Sequence, residues 1–308
     1  MAFTAKDVQT LREQTGVGMM DCKKALAASD GDMEKAIEFL REKGLAAAAK
    51  KSGRIAAEGA AYATVCEKCG VGALVEINSE TDFVAKNDEF KKFCADIAAV
   101  IMNENPADMD ALNACKYPGS DATVSDMQKE KVFTIGENIQ IRRFARFDDS
   151  TMNVAYVHAG GKIGVLLGME VSDNLRGNAA IEELGKDICM QIAAMRPQWL
   201  DREQVPADTI AKEKEILLAQ TMNEGKPAAV AEKIVAGRIN KFYEENCLVD
   251  QAFVKENKLS VAKYAERVAS EQNGTVKIAK YERFEKGEGL EKREDNFAEE
   301  IAKLTGQK

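Results

Sequence analysis

Histidine is almost missing from this chain: His158 is the only one among 308 residues. The usual general acid–base and the commonest metal ligand are thus unavailable over nearly the whole molecule, and no acid–base constellation replaces them. Also missing is any run of about 18 apolar residues, so no membrane-spanning helix is expected. A P-loop is absent. The nearest stretch, Ala180–Asp187, has alanine where the first glycine belongs and Asp187 after Gly185-Lys186, and Gly160-Gly161-Lys162-Ile163 fails as well. GxGxxG, HExxH and nucleophile-elbow patterns do not occur either. A basic excess is lacking too: 43 Lys and Arg stand against 51 Asp and Glu, a net charge of −8. That balance argues against a general nucleic-acid binder and against an acidic surface as the dominant contact. Met1-Ala2-Phe3 leads into a segment carrying Asp7 and Glu13, not an apolar signal core. The expectation is a soluble cytoplasmic protein that is not an enzyme, has no cofactor of its own, and contacts neither nucleic acid nor membrane directly.

Seven cysteines, at positions 22, 66, 69, 94, 115, 189 and 247, are an odd and scattered set. Cys94 and Cys189 fall on apolar helical faces, where a buried free thiol is the ordinary state. Cys66-Glu67-Lys68-Cys69 is different, because a CxxC can hold half a zinc site or a redox disulfide. Zinc would need a second ligand pair, and His158 is distant in sequence. A thioredoxin-like motif would open a helix, whereas Gly70 and Gly72 follow here. The segment reads as a hairpin turn between strands Ala60–Val65 and Val71–Ile77.

The length suits two or more compact units. Up to about residue 55, Thr4-Ala5-Lys6-Asp7 reads as a capping box, followed by Val8 and Leu11 on one helical face. Gly16 and Gly18 break that helix, and a second spans Asp21–Ala28. Ser29-Asp30-Gly31-Asp32 ends the second and caps a third, with Met33, Ala36, Ile37 and Leu40 at helical spacing. Met19 and Met20 are adjacent, so one of them is expected to face outward. Ala46–Lys51 reads as a helical tail before a linker at Ser52-Gly53. A weak internal repeat follows. Val71–Val75 with Phe90–Ile97 parallels Ile163–Leu167 with Ile181–Ile188, which predicts two small antiparallel sheets, each carrying helices on one face. Residues 197–246 read as an antiparallel helical hairpin, with Ile210, Leu217 and Leu218 on one arm, Val230, Ile234 and Ile239 on the other, and Asn223–Pro227 as the turn. Val276–Phe284 reads as a returning strand. Glu294–Leu304 reads as an amphipathic helix with Phe297, Ile301 and Leu304 in its stripe. The fold class is α+β: a three-helix bundle (1–55), a first core half (56–148), a second core half (149–196 and 247–287), the hairpin (197–246) and a C-terminal module (288–308).

The most informative stretch is Glu76-Ile77-Asn78-Ser79-Glu80-Thr81-Asp82-Phe83-Val84-Ala85-Lys86-Asn87, between a strand and an amphipathic helix starting near Asp88. On the residues alone, Phe83 can tuck into its own core or wedge into an apolar slot on a partner while Asp82 disturbs a cation–phosphate site. The run resembles the Thr-Asp-Phe-Val signature of the elongation factor Ts family. Matches continue in order: Leu11-Arg12-Glu13, Thr15-Gly16-Val17-Gly18-Met19-Met20-Asp21-Cys22-Lys23-Lys24-Ala25-Leu26, Lys50-Lys51, Ile135–Arg143, Tyr156-Val157-His158, Lys162–Leu166, Gln251–Val254 and Arg283–Gly289. The resemblance implies a guanine-nucleotide exchange factor whose partner is elongation factor Tu, GDP-bound or nucleotide-free. It implies that the bundle is of the ubiquitin-associated type. It also implies that Thr81, Asp82, Phe83 and Val84 dislodge the partner's Mg²⁺, while Arg12, Met19, Met20, Lys23, Ile135, Gly136 and His158 grip the partner. The hairpin is a candidate for self-association, and the terminal helix for docking on either its own core or the partner. The resemblance does not require Cys66 and Cys69. An adaptor working through residues 1–55 alone would instead keep full activity as an isolated bundle, and a thiol redox protein would lose function when Cys66 and Cys69 become serines.

Overall fold

A computed structural model describes residues 3–225 and 227–291. Helices α1 (Ala5–Thr15), α2 (Met19–Ala28) and α3 (Met33–Lys51) pack around Val8, Leu11, Cys22, Ala25, Leu26, Ala36 and Leu40. Thr4 and Asp7 cap α1 reciprocally, and the Asp32 side chain caps α3. Helix α2 starts two residues earlier than its sequence suggests, and both methionines face solvent: Met19 is 43% and Met20 63% exposed. The inward face of α2 is filled by Cys22, Ala25 and Leu26, and the first turn lies ahead of them.

Strands β1 (Glu58–Val65) and β2 (Gly72–Ser79) form the expected hairpin across the Cys66–Gly70 turn. After β2 the chain makes α4 (Asp82–Lys86), α5 (Asp88–Glu104), α6 (Met109–Ala114) and α7 (Val124–Ile135), then returns as β3 (Gln140–Phe147) against β2. The connection after α5 holds α6 and a bridge between Lys116 and Thr123. Next come β4 (Met152–His158), β5 (Ile163–Val171), α8 (Ala179–Met195), α9 (Ala207–Asn223), α10 (Ala228–Asn246), β6 (Ala252–Phe253), β7 (Glu256–Ser260), α11 (Val261–Glu271) and β8 (Val276–Glu285). Three-stranded antiparallel sheets of order β1-β2-β3 and β4-β5-β8 result, plus a small β6-β7 pair. The fold is thus mixed helix and sheet.

The two sheets stack face to face, with α5 and α7 outside the first and α8 and α11 outside the second. Alternation along the central strands explains this. Ala73, Val75 and Ile77 of β2 join the core under α5, while Val165, Leu167 and Met169 of β5 join the core under α8. Leu74 and Leu166 point the other way, into the seam with Ala61, Ala63, Phe147 and Phe284. A strand buried on both faces reads as a continuous apolar run, as β2 and β5 do. The seam is reciprocal: a Cβ built on Gly164 would lie 2.6 Å from Leu74 Cδ1, and one built on Gly72 would lie 2.6 Å from Leu166 Cδ1. Each leucine occupies the space that the other strand's glycine leaves open. The repeat extends further, since α5 and α8 each have 17 residues and are N-capped by Asn87 and Asn178.

Within the hairpin of α9 and α10, the inward positions on α10 are Ala231, Val235 and Ile239; Ile234 is half-buried and Val230 exposed. The apolar stripe therefore keeps Ile239 but runs through Ala231 and Val235 in place of Val230 and Ile234. Glu294–Leu304 lies outside the described residues. Among the described residues, no helix is long and apolar enough to cross a membrane.

Glu76 of β2, opposite a β-bulge at Arg142 of β3, is completely buried. Its carboxylate accepts from Arg142 Nη1 (3.0 Å), Arg143 Nε (2.6 Å), Asn78 Nδ2 (3.1 Å) and the Gly287 backbone N–H (2.8 Å). Arg142 and Arg143 also reach Glu288, and Arg143 lies over the Phe284 ring at 4.3 Å. Runs far apart in sequence thus meet on one buried carboxylate, which joins the segment after β8 to the first sheet.

Candidate partner-binding site

The site grows from the end of β2. Ser79 Oγ donates to Thr81 O (2.9 Å), turning the chain, and Thr81 Oγ1 sits at the N-cap of α4. The stretch between that strand and the amphipathic helix therefore contains a one-turn helix starting at Asp82. Five residues are too few for helical periodicity to register, and an isolated helix of that length does not persist in water. Two contacts hold it. Val84 and Ala85 are buried in the core under α5. On the other side, Glu137 accepts from Thr81 Oγ1 (2.6 Å), Thr81 N (3.0 Å) and Glu80 N (3.0 Å). Both backbone donors lie ahead of α4, at its N-cap Thr81 and at Glu80 before it, and a carboxylate suits the positive end of a helix in charge.

Opposite these anchors the helix presents its polar and aromatic face. Phe83 is 78% exposed. Lys86 Nζ donates to Asp82 Oδ2 (2.6 Å) and stands 5.7 Å from the centroid of the Phe83 ring. The Lys86 ammonium, helped by Lys286 nearby, holds the Asp82 carboxyl below its usual range, so Asp82 is a carboxylate at neutral pH. In the second half of the repeat, a 3-10 turn at Asp173–Leu175 replaces α4, and there the apolar residue, Leu175, is buried. Only the first half turns its large side chain outward.

Ile135 and Gly136 close α7, with Gly136 at the C-cap, and the next residue is Glu137. Two segments some fifty residues apart are therefore one unit: Thr81–Val84 and Ile135-Gly136 meet through Glu137. Glu80 extends the unit, accepting from Asn138 N (2.7 Å) and pairing with Arg54 (3.3 Å). Lys51 Nζ, at the end of α3, donates to Val132 O (3.2 Å), joining the helical bundle to α7. The contact-poor residues Arg12, Met19, Met20 and Lys23 lie exposed around the α1–α2 corner of that bundle. His158 ends β4, exposed, with Nδ1 3.0 Å from Tyr156 Oη. The turn after it packs on β1, where a Cβ on Gly161 would lie 2.8 Å from Ala60 Cβ, and Ala60 pairs with Ile77 of β2.

Sequence reasoning missed Glu137 and Lys86. Glu137 stands inside the quoted Ile135–Arg143 run, but nothing local says that it reaches back to residue 81. Lys86 lies at i+4 from Asp82, a spacing with meaning only once α4 is known to be a helix.

The sequence profile of the family described as "Elongation factor TS" matches residues 80–288, from the residue before the Thr81 cap to the Glu288 contact of the arginines. Proteins named Elongation factor Ts are similar over almost the whole chain. The one from Clostridium perfringens (strain 13) is 50% identical over 307 residues, covering 99% of each chain. That of Syntrophotalea carbinolica is 48% identical over 306 residues, covering 99% of this chain and 100% of its own. That of Symbiobacterium thermophilum is 46% identical over 309 residues, with 99% of each covered. The chain belongs to the elongation factor Ts family. Membership makes it a translation elongation factor of protein biosynthesis. The elongation factor Ts profile takes in α4, Ile135-Gly136, Glu137 and His158, and the full-length likeness adds the exposed corner of the bundle.

Proposed function

We propose that the protein is a guanine-nucleotide exchange factor that binds elongation factor Tu·GDP and speeds GDP release, leaving the site free for GTP. The observation that carries this reading is Phe83: a large apolar side chain, 78% exposed, on a helix immobilised by a buried anchor and a carboxylate clamp. A single exposed apolar residue is ordinary, but one whose backbone is held on two sides has little entropy left to lose on binding.

In a GTPase, Mg²⁺ bridges nucleotide phosphates and protein oxygens. Phe83 wedges beside that cluster, while the Asp82 carboxylate competes for the hydrogen bonds and charge around it. Thr81 and Val84 act from behind, as cap and anchor. Arg12, Met19, Met20 and Lys23 on the ubiquitin-associated-like unit (1–55) grip the nucleotide domain. Ile135-Gly136 in the first core half (56–148) and His158 in the second (149–196 and 247–287) hold another domain of the partner. Remote binding free energy then offsets the loss of the ion. Linkage requires that GDP weaken the factor's binding by the factor by which the factor weakens GDP. The protein needs no cofactor for this and forms or breaks no covalent bond. The hairpin (197–246) and the C-terminal module (288–308) are further surfaces for self-association or partner contact.

The test is release of fluorescent GDP from elongation factor Tu, with and without the full chain. Acceleration that saturates with added chain is expected. Release at the intrinsic rate in the presence of folded chain would refute the exchange reading.

A further inference from the structure

The turn at the far end of the β1–β2 hairpin holds two thiols that the exchange mechanism does not use. Cys66 N donates to Val71 O and Gly70 N donates to Cys66 O, both at 2.9 Å, so residues 66 to 70 form a closed chain reversal. Such a turn brings Cα atoms three residues apart within about 7 Å, overlapping the roughly 4.4–6.8 Å separation that a disulfide spans. Cys69 is exposed and Cys66 half-buried. Hydrogen bonding with the Cys69 side chain, then with the backbone of Cys69 and Lys68, lowers the pKa of Cys66. Stabilisation of a thiolate by such donors is the usual origin of a reactive cysteine.

The remaining thiols differ. Cys22, Cys94, Cys189 and Cys247 are buried, and burial pushes Cys94 up to about 12 and Cys247 up to about 11. Cys115 is half-buried and also raised. The pair at 66 and 69 opens instead onto a groove of about 610 Å³, within the range that accepts small molecules. Its charged lining is three carboxylates, Glu67, Asp148 and Asp149, and one guanidinium, Arg176.

We propose that Cys66 and Cys69 form a redox-active vicinal dithiol oxidised by low-molecular-weight disulfides. The Cys66 thiolate attacks one sulfur of the disulfide, forming a mixed disulfide and expelling one thiolate. The Cys69 thiol loses its proton to solvent and attacks Cys66 Sγ, which closes the Cys66–Cys69 bond and expels the second thiolate. Two electrons pass from the dithiol to the small disulfide, which leaves as two thiols. The reaction does not depend on the exchange reading. From Gly72 to Ser79, β2 spans about 23 Å at roughly 3.3 Å per residue, so the turn and α4 occupy opposite ends of the hairpin.

The experiment treats the reduced full chain with oxidised glutathione and follows intact mass and cross-linked peptides. Wild type is expected to form the Cys66–Cys69 bond and retain no glutathione. Cys69→Ser is expected to trap one glutathione on Cys66, and Cys66→Ser to react about ten-fold more slowly. Neither side chain belongs to a core, and circular dichroism checks that both variants fold. A stable glutathione adduct on wild type, preferential reaction at Cys115, or inertness of the folded chain would each overturn the proposal.

Discussion

Glu137 is the support on which the presentation of Phe83 depends, and replacing it tests that dependence. Its carboxylate accepts three hydrogen bonds, one from the Thr81 hydroxyl and two from backbone N–H groups ahead of α4. A hydrogen bond to a charged group contributes about 1.5–3 kcal/mol net, and less where water can replace it. The site is half-buried, so water recovers part of the loss. Glu137→Ala should then weaken the ordered state of α4 by about 2 kcal/mol. Val84 and Ala85 still anchor the helix, so the fold survives and α4 frays locally. If a partner must reorder the helix, the same 2 kcal/mol appears as a roughly 30-fold loss in exchange efficiency, at about 1.4 kcal/mol per factor of ten. Hydrogen exchange of the amides at 81–86 should accelerate, and stopped-flow release of fluorescent GDP should slow. Glu137→Gln keeps one acceptor and should fall between. Faster amide exchange with undiminished nucleotide release would refute the reasoning, because the positioning of α4 would then be irrelevant.

Replacement of Glu76 by Ala leaves Arg142, Arg143, Asn78 and the Gly287 N–H without their common acceptor. A loss of about 3–5 kcal/mol, read from the urea midpoint, is expected for breaking a buried ion pair. Gly164→Ala drives a methyl toward Leu74 and the backbone of Ala61; overpacking of about 1–3 kcal/mol should lower the thermal midpoint, and Leu74→Ala should relieve part of it in the double variant. Alkylation at mildly alkaline pH should label Cys66 first, because a lowered pKa puts more of that thiol in the reactive form at any given pH. Cys94 and Cys247 have pKa values raised by burial, so little thiolate exists below about 11, and their labelling should wait for unfolding.

Much of the architecture is legible in the sequence, and the reasons are local. The capping box at Thr4, the Asp32 cap and the glycine-bearing CxxC turn each rest on contacts within a few residues, which sequence spacing encodes directly. The repeat was legible because Gly72/Leu74 and Gly164/Leu166 obey one packing rule, although the reciprocal seam that explains it joins strands ninety residues apart. What escaped has the opposite character. Helix α4 exists because Glu137 and the core hold it, not because five residues favour a helix. The shift of the α10 stripe from Val230 to Ala231 depends on how two helices cross, which hydrophobicity alone does not set. Met19 and Met20 face solvent together because α2 starts early and fills its inward face with smaller residues. At the site, the exposed Asp-Phe pair stood out in the sequence, while its cap, clamp and lysine partner became visible only in three dimensions.

The most direct test of the central claim compares wild type with Phe83→Ala. At 78% exposure the side chain supports little of its own fold, so the variant should unfold within about 0.5 kcal/mol of wild type. Burying a phenylalanine in a partner contributes about 1.5–3 kcal/mol, so GDP release from elongation factor Tu at fixed factor concentration should slow by about 10- to 150-fold. A folded variant that releases GDP as fast as wild type would contradict the claim that Phe83 opens the nucleotide site.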